Sequence, residues 1–185
     1  MRLLDLFCGA GGAGMGYHQA GFEVVGVDSS PQPSFPFEFH QSDVFDLDEN
    51  WVAGFDVIHA SPPCQAFSTI GKFHGKDYPD LIAPTRALLA RTGRLTIIEN
   101  VPGAPLISPV LLCGTMFPGL RVIKHRLFEC NFLVPTLPHP KHPRVHKVDT
   151  RRRTTTAPGR DFVAVYGNGD SGGREHGPAA MKVAA

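Results

Sequence analysis

The largely apolar run Phe55-Asp56-Val57-Ile58-His59-Ala60 ends in Ser61-Pro62-Pro63-Cys64-Gln65, and a second run, Leu95-Thr96-Ile97-Ile98, ends in Glu99-Asn100-Val101. Short apolar runs bounded by turn-forming residues read as buried strands. In a parallel sheet, both runs would deliver their last residues to one crevice, where open α/β sheets bind ligands. A cysteine and a carboxylate would then share a site.

Two more runs fit that sheet. Leu3-Leu4-Asp5-Leu6-Phe7 reads as a strand leading into the glycine-rich turn Cys8-Gly9-Ala10-Gly11-Gly12-Ala13-Gly14, with a short helix expected over 15–20. Glu23-Val24-Val25-Gly26-Val27-Asp28 closes a β-turn-α-β unit on an acid. The turn lacks both the GxGxxG dinucleotide pattern and the Lys-Ser/Thr of a P-loop. Asp28, at a strand tip, is placed to accept hydrogen bonds from ribose hydroxyls. Together these features point to a nucleoside-bearing cofactor without a pyrophosphate, although a tight glycine turn can also be purely structural.

The proline-rich stretch 29–37 disfavours a helix and is expected as an extended crossover before a short strand at 38–41. Residues 65–79 read as an active-site loop, 81–90 as a helix stopped by Gly93, and 94–99 as the strand that carries Glu99. Ser108 is expected to cap a short helix over 109–112, and one or two strands are expected within 121–132. The fold class is therefore α/β, a largely parallel, Rossmann-like sheet flanked by helices. A division follows: residues 1–130 as the catalytic and cofactor-binding part, and 131–185 as a basic segment rich in proline, histidine and arginine.

The net charge of +1 conceals a strong asymmetry, since residues 121–160 hold ten Lys/Arg against Glu129 and Asp149, a local +8. A polyanion partner suits such a segment, and a solvated basic surface suits it equally. The apolar stretches, about six residues at the longest, fall far short of the roughly 20 needed to cross a bilayer, and Asp5 comes too early for a signal peptide. A cytoplasmic location, in a bacterial or phage-infected cell, and no membrane partner are expected. Four cysteines without a CxxC pair are expected to be reduced thiols. Cys130, His139, His142 and His146 match no standard zinc spacing, and no metal is expected from them.

Taken in order, Asp5-Leu6-Phe7-Cys8-Gly9-Ala10-Gly11-Gly12, Pro63-Cys64-Gln65-x-Phe67-Ser68 and Glu99-Asn100-Val101 resemble the C5-cytosine DNA methyltransferase family over about residues 2–130. The resemblance implies an S-adenosylmethionine site in which Phe7 packs on the adenine, Asp28 holds the ribose and Asp43 meets the adenine amino group. Gly9, Gly11 and Gly12 would pass beside the methionine moiety, with Asp5 and Pro63 completing the cofactor set.

Cytosine C5 is too weak a nucleophile to attack a sulfonium methyl group until a thiolate adds to C6. Cys64 would be that thiolate and Glu99 the partner of N3. The plainer readings are a buried small hydrophobe for Cys64 and an ion-pair partner of a nearby arginine for Glu99. Arg126, in Lys124-His125-Arg126-Leu127-Phe128, takes the place of the last arginine of the family's Gln-x-Arg-x-Arg element, with Lys124 at its first arginine and Val122 at its glutamine.

The substrate would be double-stranded DNA with the target base flipped out of the helix. Gln65, Ser68, Lys72 and Lys76 are the candidates to close over it, with Arg151, Arg152 and Arg153 on a DNA-facing surface. The family usually continues into a larger recognition domain and a closing segment, whereas 55 residues follow Cys130. A small solitary enzyme, a shortened copy or a subunit completed by a second chain all fit. So do the same mechanism on RNA or with another transferred group, and a non-catalytic DNA-binding protein that keeps the fold.

Overall fold

The computed structural model describes residues 1–67, 78–120, 122–142 and 163–164. The chain forms two compact units, one from Met1–Leu111 with Arg126–Thr136 and one from Leu112–His125 with Leu137–Ala185. The chain thus passes between units at three points, in place of a single boundary after residue 130.

The strands are β1 (Arg2–Leu6), β2 (Glu23–Asp28), β3 (Glu38–Gln41), β4 (Val57–Ala60), β5 (Leu95–Asn100), β6 (Val110–Cys113), β7 (Val122–Ile123), β8 (His125–Cys130) and β9 (Val163–Ala164). The helices are α1 (Gly12–Gln19), α2 (Glu49–Val52) and α3 (Ile82–Thr92). Seven strands form one sheet in the order β3-β2-β1-β4-β5-β8-β6, and β7 pairs with β9 separately. Strands β1 to β5 run parallel, and β8 enters antiparallel to β5.

Chain order reverses between β1 and β4, so the segments after these two strands meet at the topological switch point. The glycine turn follows β1 and the Pro-Pro-Cys segment follows β4. The sequence pattern and the topology therefore agree on where a ligand belongs.

Side chains alternate between the two faces of the sheet. Leu4, Leu6, Val25, Val27, Ile58, Ala60 and Ile98 pack with Val52 of α2 and with Leu88 and Leu89 of α3. The other face carries Leu3, Val24 and Val57 under Phe35, Tyr17 and Phe22. Because both faces are covered, the strands read as apolar runs without polar alternation.

The 29–37 crossover is helix-free, as expected, and it buries Phe35 against Gly26 of β2. Two local expectations need correction. Helix α1 begins at Gly12 instead of residue 15. The segment after Ser108 is the strand β6 and not a helix: Ser108 has φ 44, and the β-prone run Val110-Leu111-Leu112 joins the sheet edge beside β8. No described helix is long and apolar enough to cross a membrane.

Candidate active site

After β1 the backbone turns sharply, with left-handed φ values at Phe7 (58°), Gly9 (50°) and Gly11 (86°). The Gly9 N–H donates to Asp28 Oδ2 at 3.0 Å, and the Ser30 N–H donates to Oδ1 at 2.9 Å. Asp28 thus organises the glycine turn from the tip of β2. A Cβ at Gly11 would meet Phe35 and Pro36 at 2.9 Å, while Cβ atoms at Gly9 and Gly12 would meet nothing within 4 Å. Gly11 is needed for packing, whereas Gly9 and Gly12 offer bare backbone to open space. That cradle, with a carboxylate beside it, suits a nucleoside cofactor carrying a small polar tail.

Asp43 follows β3, whose register sets Gln41 beside Asp28. Its Oδ1 accepts the Phe45 N–H at 2.9 Å and starts the short 3-10 turn Val44–Asp46. Phe45 is exposed, and its ring meets that of Phe7 edge-on at 6.3 Å. Two aromatic rings therefore stand near the rim on which Asp28 and Asp43 lie. Phe45 is absent from the sequence-derived set, because an isolated aromatic after an aspartate carries no local signal.

Asp5, expected among the cofactor-binding residues, lies inside β1. It is wholly buried in β1, its Oδ1 is 2.8 Å from Nδ1 of His59 on the adjacent strand, and no described group bonds its Oδ2. Helix α1 lies over it, close enough that a Cβ at Gly14 would sit 3.2 Å from Oδ2. Its position is beneath the turn, as a support, and not on the crevice surface. Tyr17 packs on His59 at 5.3 Å, and burial together with the Asp5 charge pushes its phenol pKa up.

The strand-end groups come next. Ser61 donates its N–H to the Leu6 carbonyl and its hydroxyl to the Phe7 carbonyl at 3.2 Å, tying the two crevice loops together. Pro62 is buried, Pro63 exposed, and Cys64 half-buried before a turn closed by the Phe67 N–H on the Cys64 carbonyl. The Asn100 Nδ2 donates to the Pro62 carbonyl at 2.9 Å, and its Oδ1 accepts the Val101 N–H. Asn100 is 1% exposed. It is a clamp between the cysteine loop and the end of β5 that sequence reading missed, although it lies inside the Glu99-Asn100-Val101 motif.

Glu99 and Arg126 form an ion pair, Nε to Oε1 at 2.5 Å, with both side chains partly accessible. The plain reading of Glu99 as an arginine's partner and the family-derived reading of Arg126 thus meet in one contact. Gln65 is exposed beside Cys64, and Lys124 lies between β7 and β8. Ser68, Lys72, Lys76, Arg151, Arg152 and Arg153 lie outside the described residues.

The other cysteines differ in chemistry. Burial, with the charges of Asp5 and Asp28, pushes the Cys8 thiol up to about 12, which disqualifies it as a nucleophile. Burial also raises Cys130. Cys113 is lowered to about 6: burial pushes it up, but hydrogen bonds from Thr115, His139 and the Lys124 backbone outweigh that. It belongs to the second unit, where its Sγ lies 3.4 Å from Nε2 of His142. A cavity of about 460 Å³ lined by Phe22, Glu23 and Phe37 opens at the amino end of β2, opposite to Asp28. A second, about 250 Å³ and lined by Arg86, Ile107 and Glu129, also excludes Cys64 and Glu99. Chemistry and topology, not cavity size, locate the site.

A switch-point glycine cradle with a ribose-height carboxylate is the arrangement of the Rossmann-like S-adenosylmethionine-dependent methyltransferases. Residues 1–105 match the model of the family described as C-5 cytosine-specific DNA methylase, and the chain belongs to that family. Its class is thereby that of the S-adenosylmethionine-dependent DNA (cytosine-5)-methyltransferases.

Type II methyltransferase M.HgiGI of Herpetosiphon aurantiacus is 35% identical over 119 residues, 57% of this chain and 94% of that protein. Type II methyltransferase M.AgeI of Thalassovita gelatinovora is 33% identical over 158 residues, covering 73% of this chain and 37% of that protein. The chain thus spans little more than a third of the second relative. In fold it is similar to a Spodoptera frugiperda DNMT2 E260A/E261A/K263A mutant, with a TM-score of 0.51 at 20% identity, over 70% of this chain and 48% of that one.

Proposed function

We propose that this chain transfers a methyl group from S-adenosyl-L-methionine to C5 of a cytosine flipped out of double-stranded DNA. The Glu99–Arg126 ion pair at the end of β5, next to the strand whose loop carries Cys64, is the observation that supports this reading most. The cofactor supplies an electrophilic methyl group. Asp28 would hold its ribose, Phe7 and Phe45 would flank its adenine, Asp43 would meet the adenine amino group, and Gly9 and Gly12 would line its amino-acid tail. Pro63, exposed at the lip of the crevice, joins this wall.

The Cys64 thiolate adds to C6, and the electron pair pushed into the ring makes C5 nucleophilic. Glu99 would partner N3 and Arg126 O2, where negative charge accumulates as the thiolate adds. After methylation a base takes the C5 proton, the C6–S bond breaks, and Cys64 leaves as thiolate. Gln65, Ser68, Lys72 and Lys76 would close over the extruded nucleotide, with Lys124, Arg151, Arg152 and Arg153 on the phosphates.

Mass spectrometry of nucleosides from DNA incubated with the chain and cofactor tests this. We expect 5-methyldeoxycytidine with the native chain and none with Cys64→Ser. Parallel single-stranded DNA and RNA substrates decide the nucleic-acid class. Cofactor and DNA binding without any product would replace this proposal by a partner-dependent one.

A further inference from the structure

The second unit brings together four side chains that no part of the methyl-transfer chemistry uses. Cys113 ends β6, His125 begins β8, and His139 and His142 lie on the segment beyond β8. One potential ligand atom from each falls within 4.8 Å of all the others. Nε2 of His125 and Nε2 of His139 are 3.1 Å apart, and Cys113 Sγ and His142 Nε2 are 3.4 Å apart. A tetrahedron with metal–nitrogen bonds of about 2.05 Å and a metal–sulfur bond of about 2.3 Å has N···N edges near 3.3 Å and S···N edges near 3.6 Å. These two separations are close to those edges, and the remaining pairs lie within 4.8 Å.

The surroundings point the same way. The three imidazole rings lie 4.8 to 5.1 Å apart, and among the described residues no carboxylate belongs to the cluster. Three ring nitrogens and one sulfur that converge in this way form a donor set suited to a zinc-type cation. The sulfur receives the Thr115 hydroxyl at 3.3 Å and backbone N–H groups of Thr115 and Lys124, donors of the kind that support a ligating thiolate. Cys113 is also the one buried residue among those of the second unit whose side chains are described. The described residues of this unit show no apolar core, and a bound metal is one way to order such a segment.

We propose that Cys113, His125, His139 and His142 hold a zinc-type divalent cation in a closed, four-coordinate structural site. Four protein ligands of N and S type leave no open position, so the ion staples the segment at 137–142 to the ends of β6 and β8 and performs no chemistry on substrate. The site is independent of the methyl-transfer reading, and its test needs no activity.

The full chain, purified without an affinity tag, should carry about one zinc per molecule by elemental mass spectrometry. Replacement by cobalt should give intense tetrahedral d–d bands together with a thiolate-to-cobalt charge-transfer band. Cys113→Ser should lose the charge-transfer band. His139→Ala combined with His142→Ala should weaken metal retention by at least about tenfold, while His18→Ala, an exposed histidine of the first unit, leaves it unchanged. The spectrum of the native chain decides the matter even if the variants fail to fold. Absence of tetrahedral bands with stoichiometric cobalt, or a charge-transfer band that survives Cys113→Ser, would overturn the proposal.

Discussion

Asn100 shows how a single side chain can tie two strand ends together. Its amide caps the buried Pro62 carbonyl and its oxygen caps the Val101 N–H, so the Cys64 loop and the end of β5 that carries Glu99 are held by one group. In Asn100→Ala the Pro62 carbonyl loses a buried partner, at a cost of about 1–3 kcal/mol in urea unfolding. Because the loop then drifts, trapping of Cys64 on DNA containing 5-fluorocytosine, which cannot lose its C5 substituent as a proton, should slow by about ten- to a hundredfold. Unchanged trapping with lowered stability would limit Asn100 to a folding role. The strand-end positions of Cys64 and Glu99 were legible because both follow recognisable apolar runs. The Asp5–His59 contact was not, because nothing local signals which residue of the next strand a strand acid will meet.

At the level of elements, α3 is fastened to β8 by Arg86, whose Nε and Nη2 donate to Glu129 at 2.6 and 2.8 Å, while Glu129 also accepts the Ile107 N–H. Burial pushes the Glu129 carboxyl up, but the Arg86 hydrogen bonds, the Ile107 N–H and the guanidinium charge together hold it below the usual carboxylate range. A depressed native pKa stabilises the fold fully above the unfolded value of about 4.3, and that stabilisation disappears as pH falls through the native value. The stability gap between the native chain and Glu129→Gln, measured by urea unfolding, should therefore close on acidification. A gap that widened would refute the assignment.

Gly26 is a second element-level device, since its missing side chain admits the Phe35 ring to β2. Gly26→Ala should cost about 1–3 kcal/mol and weaken S-adenosylmethionine binding by calorimetry, because Phe35 also seals the turn at Gly11. The parallel strands were readable from apolar runs and their punctuation. Strand β6 was not, since its pairing with β8 is a long-range choice that local propensity does not record.

For the whole molecule, charge and chemistry are separated along the chain. Residues 121–160 carry the local +8, while the motif residues from Phe7 to Glu99 lie in the net acidic remainder. If Arg151, Arg152 and Arg153 each neutralise a phosphate, replacing all three by alanine should flatten the log–log salt dependence of DNA binding by about 2 to 3. An unchanged slope would remove them from the interface. Of the Cys113-His125-His139-His142 cluster only His139 and His142 stood out in the sequence, beside Cys130 and His146, because the intervals of 11, 13 and 2 residues follow strand placement and no motif.

The Glu99–Arg126 contact has an electrostatic corollary. Opposite unit charges 2.5 Å apart form a dipole whose field falls off faster than that of either ion alone. The pair itself therefore adds little to the long-range field that an approaching polyanion meets. On the proposed reading, capture and catalysis become separable properties of one chain: ionic strength should govern how often DNA arrives and leave the rate at which bound cytosine reacts nearly untouched.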